Sequence, residues 1–364
     1  MPHPHHRTIR RLRRSLLLAA AAVAAALAVI VAGASPAAAC GGLIGENGTV
    51  QLTRTSTLAA FHDGVERYVT SFEFTGEGEE VGSIIPLPDV PTEVVRGGDW
   101  TLQRLAQEVA PPAGAEAAAL TSGRATADAE VVLETKIDAL DITVLRGGGV
   151  EVGRWATEHG FLLTPDAPEV LDFYAARSQV FMAARFDASR AAELGQGAGD
   201  GTPIMLTIPT EQPWVPLRIL SLGLDESRFV EADVFLLTDD TPDLLAGGPG
   251  LRLERSEPAS AGLLDDLRSD VGMEWVPERM WFTYLQVAAP AGDLDYDLAV
   301  SADGALPDRR DTGVEGPDVQ PISSVLGESD RSAWPLVLGA AAGAAVLGGG
   351  VVRDRRRSDR DNAP

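Results

Sequence analysis

The chain has 364 residues, with 30 Lys+Arg against 53 Asp+Glu, a net charge of −23, five histidines and one cysteine. That acid excess repels nucleic acid and anionic lipid headgroups, and a single cysteine excludes an internal disulfide framework. Nearly 300 residues between the two ends are enough to bury a core.

The chain opens on a basic stretch, Arg7, Arg10, Arg11, Arg13 and Arg14, with no acidic residue before Cys40. An apolar run from Leu16 to Ala32 follows, then Pro36 and Ala37-Ala38-Ala39. These are the three regions of an export signal, and residues 1–39 are expected to be removed between Ala39 and Cys40. The competing reading is an uncleaved N-terminal anchor, because the apolar run is long for a signal. Cys40, in "ASPAAACGG", has three fates open to it: a free thiol at the mature N-terminus, lipidation, or a disulfide between two chains.

Residues 49–88 read as strands, from runs of Thr, Val, Tyr and Phe with partial alternation. Asp63-Gly64 between two such runs predicts a two-residue hairpin turn, and Asn47-Gly48 suggests another. "EEVGSIIPLP" reads as a strand ended by Pro86 and Pro88. Asp99 is placed to cap a helix running to Val109 before Pro111, with Trp100, Leu102, Leu105, Ala106 and Val109 as its apolar face. Residues 111–127 read as a loop and 129–146 as strands. "GVEVGRWATEHG" and "DAPEVLDFYAARS" have helical spacing, with Pro168 suited to a first turn. Strands are expected near 179–187, 203–209, 214–222 and 229–238, a loop from "DDTPDLLAGGPG", a helix near 262–269, then strands in "ERMWFTYLQVAA" and "DLDYDLAVS". The stretches "YVTSFEF…GSIIPLP" and "FMAARFD…TPIMLTIPT" echo one another, which a duplicated unit or mere likeness among β-rich sequences would explain equally.

From 302 to 333 the composition is Pro, Gly, Asp and Ser, expected of a flexible stalk. Residues 334–352, "WPLVLGAAAGAAVLGGGVV", carry no charge and span about 28 Å as a helix, close to the ~30 Å of a bilayer core. Arg353, Arg355, Arg356 and Arg357 follow directly, which marks a cytoplasmic tail over 353–364. Gly339 and Gly343 make a G-x-x-x-G step, but in so Gly/Ala-rich a segment it predicts at most a weak homodimer. Residues 41–333 then lie outside the cell and carry 20 basic and 50 acidic groups.

No catalytic, cofactor or metal site can be named. His3, His5 and His6 leave with the signal, so only His62 and His159 remain outside, each expected to be a solvated turn or cap residue. There is no G-x-S-x-G, H-E-x-x-H or G-x-x-x-x-G-K-[ST] motif, and "RGGGVEVG" reads as a turn before a helix. "GDLDYDL" has Asp293, Asp295 and Asp297 at alternate positions, but Leu298 and Gly304 stand where a calcium loop needs glycine and glutamate. Alternation instead predicts three Asp on one strand face opposite Leu294, Tyr296 and Leu298. Asp239-Asp240 and Asp265-Asp266 are expected to be solvated.

"ACGGLI", "SFEFTGEGEEVGSIIPLPDVPTEV", "RWATEHGFLLTPDAPEVLDFYAARSQVFMAARFD" and "VPLRILSLG" together resemble the family called domain of unknown function 2330, over about residues 39–288. The resemblance implies an exported bacterial protein and supplies no activity and no catalytic residues. Some members have a second cysteine soon after the first; Leu43 and Ile44 stand nearby here.

The expected fold is α+β, mainly antiparallel strands with three or four helices, over residues 40–301, in one lobe or in two split near 147. The expected protein is a single-pass surface protein whose outer domain binds a protein or envelope component without catalysis. An envelope enzyme working through carboxylates and a structural envelope protein are the alternatives. A cleft with two facing acids, one strongly shifted in pKa, would favour the enzyme; an apolar patch or open sheet edge would favour binding.

Overall fold

A computed structural model of the chain describes residues 42–45, 51–75, 81–110, 130–161, 163–195, 202–246, 248–314 and 320–322. The cleavage site at Ala39 and Cys40, the Asn47-Gly48 turn, the loop over 111–127, the span over 334–352 with Gly339 and Gly343, and the tail arginines Arg353, Arg355, Arg356 and Arg357 lie outside the described residues. Among the described residues no helix is long and apolar enough to cross a membrane.

The first strands are β1 Gly42–Gly45, β2 Gln51–His62, β3 Val65–Thr75, β4 Val81–Leu87 and β5 Glu93–Arg96. Helix α1, Thr101–Val109, comes next, then β6 Glu130–Ile137, β7 Leu140–Arg146, α2 Gly149–Glu158 and α3 Ala167–Ala175. They are followed by β8 Val180–Phe186, α4 Ala188–Leu194, β9 Ile204–Pro209, β10 Trp214–Val215, β11 Phe229–Thr238, β12 Asp243–Ala246 and β13 Leu251–Pro258. Helix α5, Ala261–Arg268, precedes β14 Trp281–Pro290, β15 Leu298–Ser301 and β16 Gln320–Pro321.

Three sheets result: β1-β4-β8-β7-β6, β13-β14-β11-β2-β3-β9-β5, and the small β10-β15-β12-β16. Every pairing is antiparallel except β11 with β2. The α+β class with mainly antiparallel strands is therefore the observed one. Asp63 and Gly64 hold φ of 51° and 72°, the two left-handed residues a type I′ turn needs, and His62 pairs with Val65 across them.

Many strands are apolar on both faces, which explains the weak alternation in the sequence. In β8, Met182 and Ala184 point into the layer between the two large sheets, while Phe181 and Ala183 point to α2 and α3. In β11, Val234 and Leu236 point into the same inner layer, while Phe235 and Leu237 meet α1 and α5. The order of layers is helices, sheet, sheet, helices, so each large sheet is covered on both sides. Continuous apolar runs are what two-sided burial selects. Gly149 lets α2 meet α3 closely, because a Cβ there would strike the backbone and side chain of Asp172.

The chain does not divide near 147. Strand β4 pairs with β8, β3 with β9 and β2 with β11, so both halves build both large sheets. The echo between residues 68–88 and 181–210 maps β3 onto β8 and β4 onto β9. The observed pairs β3–β9 and β4–β8 exchange under that mapping, which both explanations of the echo allow.

Other expectations change for local reasons. Asp99 does not cap α1 with its side chain; it pairs with Arg96. The segment entering α1 is held instead by Asp270, which accepts from the N–H of Asp99 and Trp100 (3.2 and 3.1 Å) and from the Thr101 hydroxyl (2.7 Å). Gly98 leaves the space, since a Cβ there would overlap the Asp270 carboxylate. The strand expected over 214–222 is two residues long. Pro216 removes a ladder donor, and a 3-10 turn, Arg218–Ser221, follows. Strands β12 and β13 occupy a stretch read as the start of a loop. Helix α4 forms because the Asp187 side chain caps it at the Arg190 N–H, 2.8 Å, and Gly195 ends it at φ 68°.

The flexible stalk expected from Ala302 is corrected at its start. The Asp297 N–H donates to the Thr312 carbonyl at 2.8 Å, and the Thr312 side chain is fully buried. Gly313 lies against the Phe173 ring, β16 extends the small sheet along β12, and Ile322 is 2 % exposed. Burying an Ile side chain is worth about 1.5–3 kcal/mol, and an orphaned buried polar group costs about 1–3 kcal/mol. A chain ending at Ser301 is therefore expected to be less stable than one ending at Ser324 by about 3 kcal/mol or more. Urea unfolding of the two chains measures the difference.

Candidate functional site

Residues 293–296 alternate as the sequence suggests, with Asp293 and Asp295 exposed and Leu294 and Tyr296 buried. Asp297 breaks the pattern: strand β15 begins only at Leu298, and the Asp297 side chain turns inward, 2 % exposed. A buried carboxylate is tolerated only if it is paired and hydrogen-bonded. Asp297 Oδ1 accepts from the Tyr174 hydroxyl (2.8 Å), the Leu217 N–H (2.7 Å) and the Arg218 N–H (3.0 Å). Its Oδ2 accepts from Arg177 Nη2 at 2.6 Å. The Tyr174 oxygen in turn accepts from the Ile219 N–H at 2.8 Å. Burial and the neighbouring Asp297 charge raise the Tyr174 hydroxyl well above its ordinary pKa, so it stays a donor.

Arg177 continues the network outward. Its Nη1 donates to the Asp311 carbonyl at 2.7 Å, and its guanidinium lies over the Phe173 ring at 4.1 Å and near Tyr174 and Trp214 at 5.1 and 5.3 Å. Such contacts favour the planar Arg cation.

Above this floor opens a cleft of about 650 Å³, within the range of small-ligand sites. Its walls come from the ends of β4 and β9, the loop 209–213, β10 and β15. Trp214 is half-buried in it beside Pro88, Pro209 and Pro213. Asp89, Glu211 and Asp311 are exposed around it. Partial desolvation against the cleft rim and the nearby Asp308 raise the exposed Asp311 carboxyl, against the opposing pull of Arg177. The loop is tied down: Gln212 accepts from the Ala302 N–H (2.8 Å) and donates to Asp303 (3.0 Å), and the Thr210 hydroxyl donates to the Gln212 carbonyl (3.0 Å).

Behind Trp214 lies Glu66, on the same side of β3 as Tyr68 and fully buried. The Trp214 N–H donates to both its oxygens, at 3.3 and 3.2 Å. One donor does not offset the lost hydration, so burial pushes the carboxyl up to about 8.

Neither His62 nor His159 lies in the cleft. His62, half-buried beside the hairpin turn, reaches Asp239 through Nδ1 (2.6 Å) and Asp63 through Nε2 (3.4 Å). The ring stands between two carboxylates, and the three residues could each offer one ligand atom to a metal, the atoms lying within 4.8 Å of one another; both carboxylates are exposed, and such acidic groups are common at protein surfaces without an ion. His159 is corrected: it caps α2 but is buried, stacked on Trp155 with centroids 4.1 Å apart. Asp265 and Asp266 are ion-paired at the surface with Arg268 and Arg104. Glu66, Arg177 and Trp214 went unsingled in the sequence, and Asp297 reads there only as one of three Asp sharing a strand face. The signal available was a charged residue inside a strongly apolar context, "VERYV" for Glu66 and "LDYDLAVS" for Asp297.

Residues 34–228 match the family described as "Uncharacterized protein conserved in bacteria (DUF2330)". The matched stretch holds Glu66, Arg177 and Trp214; Asp297 and Asp311 lie beyond it. No curated protein matches the chain. A crystal structure of baculovirus P35 is similar over 68 % of this chain and 93 % of its own, at 9 % identity and a TM-score of 0.36, a likeness too slight to carry an argument.

Two outcomes follow from the buried acids. Asp297→Ala leaves Arg177 and three further donors unsatisfied, and is expected to cost about 3–5 kcal/mol and lower Tm by roughly 6–20 °C. Adding Arg177→Gln should recover part of that loss, as a double-mutant cycle on thermal or urea unfolding would record. For Glu66, folded and unfolded chains both hold the proton below 4.5. Between 4.5 and about 8 only the folded chain holds it, so stability falls as pH rises through that window, by on the order of 5 kcal/mol. Glu66→Gln should remove this contribution to the slope, leaving wild type and variant alike in acid and the variant more stable above about pH 8. Unfolding midpoints across pH that fall equally in both proteins would contradict it.

Proposed function

The chain belongs to the bacterial family DUF2330, and on that premise we propose that it is a membrane-anchored, non-catalytic binding module of the cell envelope, with the cleft beside Trp214 as its binding site. The observation that carries this reading is the locked state of the cleft floor. The Asp297 carboxylate is committed to four donors and the Arg177 guanidinium to two acceptors. Groups committed in this way are poorly disposed to exchange protons with a substrate but hold a rigid, preformed surface, which lowers the entropy cost of binding.

The ends of the sequence support the location. Residues 1–39 read as an export signal, 334–352 as a membrane helix, and Arg353, Arg355, Arg356 and Arg357 as its cytoplasmic anchor. The outer domain then begins at Cys40 and is joined to the membrane by a stalk that starts after Ile322. Gly339 and Gly343 support at most a weak homodimer.

A second reading, a hydrolase working through carboxylates, has one observation in its favour. Glu66 is strongly shifted and touches the backbone of a cleft residue, a combination that marks many acid catalysts. Its burial behind Trp214 counts against it.

A photoreactive amino acid placed in living cells at Glu211 in the cleft, and separately at exposed Val271 outside it, tests the binding reading. Crosslinked envelope adducts are expected from position 211 and not from 271. Equal or absent adducts at 211 would overturn it. Intact-mass measurement of the purified chain should show a start at Cys40; a start at Met1 would overturn the cleaved topology.

A further inference from the structure

The cleft's chemistry narrows its ligand. Arg177 is the one cation among the described lining residues, and its Nη1 and Nη2 each already hold one acceptor, the Asp311 carbonyl and Asp297. An anion would find that cation already ion-paired with a buried carboxylate and would face the carboxylates of Asp89, Glu211 and Asp311. In a chain with 53 acidic residues, such exposed carboxylates are expected from composition and do not themselves specify a cation.

Composition does not predict the wall they flank. The chain has six tryptophans, and Trp214 lines the cleft half-buried, with Pro88, Pro209 and Pro213 among the other lining residues. Its ring is backed by Tyr174, centroids 6.4 Å apart, so its position is fixed. Rigid apolar rings beside acceptor-only carboxylates suit a ligand with a flat C–H face and hydrogen-bond donors along its edge. A purely apolar ligand would leave the carboxylates desolvated without donors, which is costly. A small amine would supply donors but leave the ring wall uncovered. A hydroxylated sugar ring supplies both, without charge.

Resting on the binding-module reading above, we infer that the cleft beside Trp214 is a site for neutral carbohydrate, with a sugar ring against Trp214 and the prolines and its hydroxyls donating to Asp89 and Glu211. The volume of about 650 Å³ admits more than one ring.

The full chain, purified in a detergent that carries no sugar, is titrated with chitotetraose, cellotetraose and maltotetraose. A galacturonic acid tetramer, spermine and a proline decapeptide are titrated alongside, and tryptophan fluorescence and calorimetry report binding. At least one neutral tetrasaccharide is expected to bind saturably, with little change between low and high salt, and the galacturonic acid tetramer not to bind. Asp89→Asn and Glu211→Gln, both exposed and away from the buried network, should each weaken binding by about fivefold. Trp214→Ala should weaken it by about tenfold or more. Absence of binding by all three neutral sugars, sugar binding unchanged in the two carboxylate variants, or tighter binding of spermine or the proline peptide would each overturn the assignment. Sugar failure together with cleft-specific crosslinks at position 211 would remove the ligand class and leave the binding module standing.

Discussion

The Asp297 carboxylate is the interaction on which the rest of the site depends. Taking it out of water costs several kcal/mol, and four donors from two separate parts of the chain offset that cost. Tyr174 and Arg177 come from the end of α3 and just beyond it, and Leu217 and Arg218 from the 3-10 turn after β10. The backbone of Asp297 itself holds Thr312. Helix α3, the turn, the start of β15 and the strap after it are thereby fixed to one another. The floor of the cleft is this network seen from its solvent side, so its shape is set by the same bonds that stabilise the fold.

Three buried acids meet the same problem in different ways. Asp297 gathers two backbone N–H groups, a phenol and a guanidinium. Asp270 gathers the N–H groups of Asp99 and Trp100, just before α1, and the Thr101 hydroxyl, together with the N–H of Val271, and joins the entry of α1 to the segment after α5. Glu66 has only the Trp214 N–H, so a retained proton does what missing donors cannot, and its pKa rises. Donor supply, more than depth of burial, separates the three: all are nearly or wholly buried.

The paired large sheets explain why the strap and the small sheet exist. Two sheets facing each other leave an apolar layer open at the edges, and the inner layer continues into Leu244, Ala246, Leu298 and Val300 of the small sheet and Ile322 beyond it. Residues after Ser301 therefore serve the core, although their Pro, Gly and Asp content resembles a linker. The cleft lies where this small sheet meets the ends of β4 and β9, so it is bounded by elements from both halves of the chain.

Local patterns settled what local physics controls. The Asp63-Gly64 turn, the helices over 149–158 and 167–175, the long strands near 180, 204, 229 and 281, and the α+β class were legible, because positive φ at a turn and helical or extended spacing act between near neighbours. Tertiary structure alone decided the rest. That the start of α1 is held by Asp270 rather than Asp99, that β4 pairs with β8, and that Asp297 leaves the acidic face of its neighbours all depend on residues more than 75 positions away. The cleft was illegible for the same reason: Trp214, Arg177 and Asp297 share no spacing in the chain. They meet only because a buried carboxylate must find its donors wherever the fold brings them.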